Sequence, residues 1–139
     1  MRSTTLGLPP LALLALALVA VPRPVLHDLE IIQEGTAVNA LFVAVPLLIW
    51  IVVVVLARVP KPFLTLLAVG AVHGVLLAVV HQVLWDADVH LAGSLPPAAE
   101  QVLIRGLAAI SSVFTGLLTG AVTGLVAWPI SVLAGRARD

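Results

Sequence analysis

Four apolar runs, each about as long as a bilayer's hydrocarbon core is thick, constrain this chain more than any motif in it. A helix crossing that core needs ~20 mostly apolar residues, and residues 6–22, 36–57, 63–84 and 102–130 meet or approach that length. What remains between them is short: residues 23–35 and 85–101 are the only long connections. The expected fold is therefore all-α, a polytopic membrane protein forming one four-transmembrane-helix bundle over residues 1–139. Composition agrees, because 61% hydrophobic against 10% charged residues is far from the balance of a soluble domain. The lipid bilayer is thus the first expected partner.

The basic residues set the expected orientation, since cytoplasmic flanks carry the excess of Lys and Arg. Arg2, Arg58, Lys61, Arg136 and Arg138 fall on one side of a four-span arrangement, with Arg23 and Arg105 on the other. Both termini are expected inside (N-in/C-in), with 23–35 and 85–101 as outer loops. Six of the seven acids (Asp28, Glu30, Glu34, Asp86, Asp88 and Glu100) then lie outside. The heavy use of Ala, Val, Leu and Arg beside a single lysine suggests a GC-rich bacterial genome, hence a multi-pass protein of the bacterial inner membrane. There is no cysteine, which excludes disulfides and thiolate chemistry. No basic patch extends beyond the short flanks, so nucleic acid is not an expected partner.

Along the chain, the first run follows Arg2 and could pass for a secretory signal, but Leu18 and Val21-Pro22 spoil the cleavage sites around Ala20. It is read as a retained helix, started by Pro9 and Pro10 and ended by Pro22 and Pro24. In the segment that follows, His27, Glu30 and Glu34 share one face at helical spacing, as a short amphipathic helix at the interface or an extension of the second span. The second span carries Asn39, Pro46 and Trp50, and Pro46 should kink it and free the Phe42 carbonyl. The third span bears Gly70, His73, Gly74 and His81 and ends at Trp85, an interfacial anchor; Trp128 anchors the fourth, where Pro129 ends or bends the helix.

The fourth span holds a glycine zipper. Ala108, Ser112, Gly116, Gly120 and Gly124 recur every fourth residue, beside a hydroxyl row of Ser111, Thr115, Thr119 and Thr123. Small residues let membrane helices approach closely, and hydroxyls permit hydrogen bonds between them. The stripe serves either packing on the second or third span or contact with another subunit, as a homo-oligomer or with a membrane-protein partner. The first is favoured, because few spans are available to cover two stripes.

Polar residues fall into two layers. Glu34, Asn39, His81 and Arg105 lie near the outer boundary, and Arg105 needs a counter-charge there, for which Glu34 is the favoured partner and Glu30, Asp86 and Glu100 are rivals. His73, Thr115 and the Phe42 carbonyl come to similar depth near the midplane, where His73 is either a functional group or a hydrogen-bond donor to one of the other two. His27, Glu30, Glu34, His81, Asp86 and His90 offer imidazole and carboxylate ligands suited to a divalent metal, but no recognised ligand spacing accompanies them. The expected function is binding of a ligand, ion or protein partner through the acidic, histidine-bearing outer layer. The alternatives are proton or small-cation transport along Glu34, His81 and His73, or a metal-dependent membrane enzyme at the outer interface. An enzyme is the less favoured reading.

Overall fold

The computed structural model describes residues 6–85 and 96–136. Among them every regular element is an α-helix: α1 (Pro10–Val19), α2 (Pro22–Asp28), α3 (Ala37–Leu56), α4 (Pro62–Val83) and α5 (Pro97–Arg136). Four segments are long and apolar enough to cross a membrane, with α1 and α2 counted together as the 19 residues Pro10–Asp28.

Pro22 and Pro24 were expected to stop the first span, yet the chain continues past them. Val21 already has right-handed helical angles, and Pro22 stands at the first position of α2, where a proline's missing N–H would have had no partner anyway. The cost is a local tightening: the Ala20 N–H turns to the Ala17 carbonyl. The Leu16 carbonyl, left without Ala20, accepts instead from the indole Nε1 of Trp50 on α3 at 2.7 Å. A proline junction in one helix thereby creates the acceptor that fixes another.

The expected amphipathic helix over residues 25–35 ends early, at Asp28. Glu30 takes a positive φ of 56°, while its N–H bonds the His27 carbonyl and the Ile31 N–H bonds Leu26. That pairing is the Schellman stop, which ordinarily favours glycine at the left-handed position. Thr36 then caps α3, accepting from the Asn39 N–H at 3.2 Å. Pro46 lies inside α3 without ending it, and Pro129 likewise lies inside α5. Pro46, Trp50 and Val54, four residues apart, form the buried stripe of α3.

α4 is the hub, packing against all four other helices. Its face towards α5 is glycine on glycine. A Cβ built on Gly70 would fall 2.7 Å from the Gly120 Cα, and one on Gly74 would fall 2.8 Å from the Val113 carbonyl oxygen. Gly116 meets the backbone of both Gly70 and Gly74, and Gly124 lies against Phe63. The small-residue stripe of α5 therefore contacts α4 within the same chain. Of the hydroxyl row, Thr119 and Thr123 bond the carbonyl four residues back on α5 at 2.8 Å, as do Ser112 of the small-residue stripe and Ser131. Their acceptors are local, which satisfies them without a neighbour.

This packing yields a direct stability test. Gly116→Ala should cost at the upper end of ~1–3 kcal/mol, since backbone rather than a flexible side chain opposes the new methyl. Gly106→Ala, where nothing lies within 4 Å, should be neutral or stabilise by ~0.5–1 kcal/mol. Unfolding in detergent, followed by circular dichroism, would show equal effects of the two changes if the glycine contact were unimportant.

Candidate functional site

The extension of the first span to Asp28 carries Arg23, His27 and Asp28 to the end of the bundle where α3 begins and α4 ends. Arg23 donates from Nε to the Asn39 side-chain oxygen at 3.0 Å and approaches Glu34 at 3.5 Å. Glu34 in turn lies 3.5 Å from Nε2 of His27, whose Nδ1 is 3.5 Å from one oxygen of Asp28. The other Asp28 oxygen meets Nδ1 of His81 on α4 at 2.5 Å. A continuous polar run, Asn39, Arg23, Glu34, His27, Asp28 and His81, thus crosses three elements.

All of these except Asn39 wall a cavity of about 910 Å³. Arg23, His27 and Asp28 come from α2, Glu30 and Glu34 from the connection after it, and Leu77 and His81 from α4, with Trp85 just beyond. Ala108, Ser111, Ser112 and Thr115 of α5 close the deeper side. Asp28 is the most enclosed member of its pairs, with 11% of its side chain exposed, whereas Glu34 is 74% exposed. With both histidines neutral, Arg23 against Asp28, Glu30 and Glu34 leaves this lining two negative charges in excess (three minus one). Nδ1 of His81 is engaged by Asp28, which leaves Nε2 as its remaining donor or acceptor. Glu30 holds its left-handed conformation at a cost of order 1–3 kcal/mol for a residue other than glycine, and its side chain borders the cavity.

Several expected pairings are replaced. Arg105 does not pair with Glu34, which already faces Arg23 and His27. Its guanidinium instead covers the Trp85 ring at 5.1 Å, and its backbone oxygen accepts from Gln82 at 3.1 Å. His73 bonds neither Thr115 nor the Phe42 carbonyl. It sits edge-on to Trp50, with ring centroids 5.7 Å apart, and has the Ala17 backbone as a hydrogen-bond partner. The reason is angular: successive helical residues are turned by about 100°, so Gly74 faces α5 and His73 faces α1 and α3. Nδ1 of His73 is buried without a partner. Thr115 instead borders the cavity.

Among the described residues no group of three His, Asp or Glu side chains is arranged to hold a metal ion. Of the six metal candidates, His27, Glu30, Glu34 and His81 border the cavity, while Asp86 and His90 lie outside the described residues. Sequence reasoning treated Arg23 and Asp28 only as charges of an outer loop. The signal for them was the proline placement, which allows a helix through residues 22–28 and sets Arg23 and His27 four apart on one face. No family model, no curated protein and no solved structure matches the chain. Four apolar helices make it compatible with a small multi-pass integral membrane protein.

Substitutions at two positions separate structural from available groups. Asp28→Ala should cost ~1–3 kcal/mol by leaving the His81 Nδ1 position without its acceptor, and Asp28→Asn should cost less. His73→Phe keeps the ring and removes the unpartnered nitrogen, so thermal unfolding should show an unchanged or raised midpoint. A fall larger than that of Asp28→Asn would mean that the bond to the Ala17 backbone, which the change also removes, outweighs the unpartnered Nδ1.

Proposed function

We propose that the chain is a membrane-embedded binding protein that takes a small cationic group in the Asp28, Glu30, Glu34 cavity, without covalent chemistry of its own. The observation that carries this reading is the convergence of those three carboxylates, only partly balanced by Arg23, on one open cavity. Glu30 supports it independently, because a glycine would suit its backbone better and would remove the carboxylate. Conduction is less favoured: beneath His73 the interior is filled by Trp50, Val54, Leu66 and Val69, none with exposed surface. Arg58 and Lys61 lie in the α3 to α4 turn at the opposite end of these helices, so in this reading the cavity faces the outside of a bacterial inner membrane.

Thermal unfolding of the purified protein with ethanolamine, manganese, zinc or phosphate tests the charge preference. A cation should raise the midpoint, by the equivalent of ~2.7 kcal/mol at a hundred times its dissociation constant, and Glu30→Gly should weaken that effect while stabilising the ligand-free protein. Stabilisation by phosphate alone, or a cation effect that survives Asp28→Asn combined with Glu34→Gln, would overturn the reading.

A further inference from the structure

The cavity is deeper than a rim site for a small ion requires. Its α5 wall runs from Ala108 to Thr115, seven helical steps or ~10 Å along the helix axis. A volume of about 910 Å³ is on the scale of sites that enclose a molecule the size of a drug, roughly 300–1,000 Å³.

Two further observations concern what fills the deep part. The first is the behaviour of the α5 hydroxyls. Ser112, Thr119, Thr123 and Ser131 return their hydroxyls to their own helix. Among the described residues Ser111 and Thr115 make no such bond, and both are exposed on the cavity wall within a candidate span. Hydroxyls in hydrocarbon gain from an acceptor, and most in this helix take the nearest carbonyl. Ser111 and Thr115 keep theirs available to whatever enters.

The second is the side on which the cavity opens. No α3 residue lines it, although α3 packs against α5 elsewhere. Val38, Leu41, Val43 and Val45 in the first half of α3 are exposed, whereas the buried stripe begins only at Pro46. At this end, therefore, α3 leaves the hydroxyl-bearing face of α5 uncovered. The uncovered face, with Ser111 and Thr115 exposed on it, falls within the α5 segment that is long and apolar enough to span a membrane.

We infer that the bound molecule is an ester-linked amphiphile of the bilayer with an ammonium head. This rests on the cation-binding reading above and names its source. The head meets Asp28, Glu30 and Glu34; the ester carbonyls, which are acceptors only, take the Ser111 and Thr115 hydroxyls; the chains leave between α3 and α5 into the membrane. A free amine from water shares the head chemistry but needs neither the hydroxyls nor the side opening.

The test compares these two sources in one preparation. The protein is reconstituted in nanodiscs containing equal parts phosphatidylethanolamine, phosphatidylcholine and phosphatidylglycerol, released, and assayed for retained lipid by native mass spectrometry. Phosphatidylethanolamine should be retained over phosphatidylglycerol by about tenfold or more, the ratio set by ~1.4 kcal/mol of discrimination. Glu30→Gln with Glu34→Gln should abolish that preference. Ser111→Ala with Thr115→Val should reduce retention severalfold while leaving the ethanolamine-induced rise in unfolding midpoint intact, and that rise also reports that the variant is folded. Equal retention of phosphatidylglycerol, or full retention by the hydroxyl variant, would overturn the lipid inference; if ethanolamine still stabilises the protein, the cation-binding reading survives. Failure of both ethanolamine and lipid would sink the two together.

Discussion

Backbone meeting backbone between α4 and α5 is the contact on which the remaining structure depends. In hydrocarbon, association of helices draws little from the hydrophobic effect and relies on van der Waals contact and hydrogen bonds. Gly70 and Gly74 on one side, with Gly116 and Gly120 on the other, bring the two helices so close that a methyl group has no room. That approach fixes the rotation of α4 about its own axis. Once Gly70 and Gly74 face α5, Val69 and His73 are turned to the buried side, where His73 meets Trp50 of α3. The same rotation leaves His81, two turns further on, beside α2.

Polar groups then finish what packing begins, at positions where a helix is interrupted. The junction between α1 and α2 leaves the Leu16 carbonyl for Trp50. At the start of α4, the Thr65 hydroxyl bonds both Lys61 and Leu6, tying the N-terminal stretch across the α3 to α4 turn. Both bonds satisfy groups that would be costly to leave unpaired in lipid. The interior near the midplane is correspondingly closed, while the end bearing α2 is held by side-chain ion pairs and stays open.

Much of the architecture was legible because membrane crossing is a property of composition and length. The site was legible only in fragments. Glu34, Asn39 and His81 were identifiable as polar residues near the outer boundary, and His27 as a neighbour of Glu34 on one helical face; the structure joins the four in one network. Arg23 and Asp28, which make that network continuous, were assigned to a loop because Pro22 and Pro24 look like a helix stop. A proline stops a helix only where its missing N–H is needed, and in a first turn it is not. The expected Arg105–Glu34 pairing gave way for a different reason: depth along a span says nothing about which side of the helix a neighbour occupies.

What the sequence determined by itself was therefore one-dimensional: four helices able to cross a bilayer, their polar ends, and a small-residue stripe on the last of them. These follow from residue solubility and helical period, which act locally and need no partner. Only the tertiary structure decided that the stripe meets Gly70 and Gly74, that Glu34 faces Arg23 rather than Arg105, and that Ser111 and Thr115 border a cavity left uncovered by α3. Those outcomes depend on the rotation of each helix about its axis. That rotation is set by which surfaces approach most closely, a relation between segments that no single segment encodes.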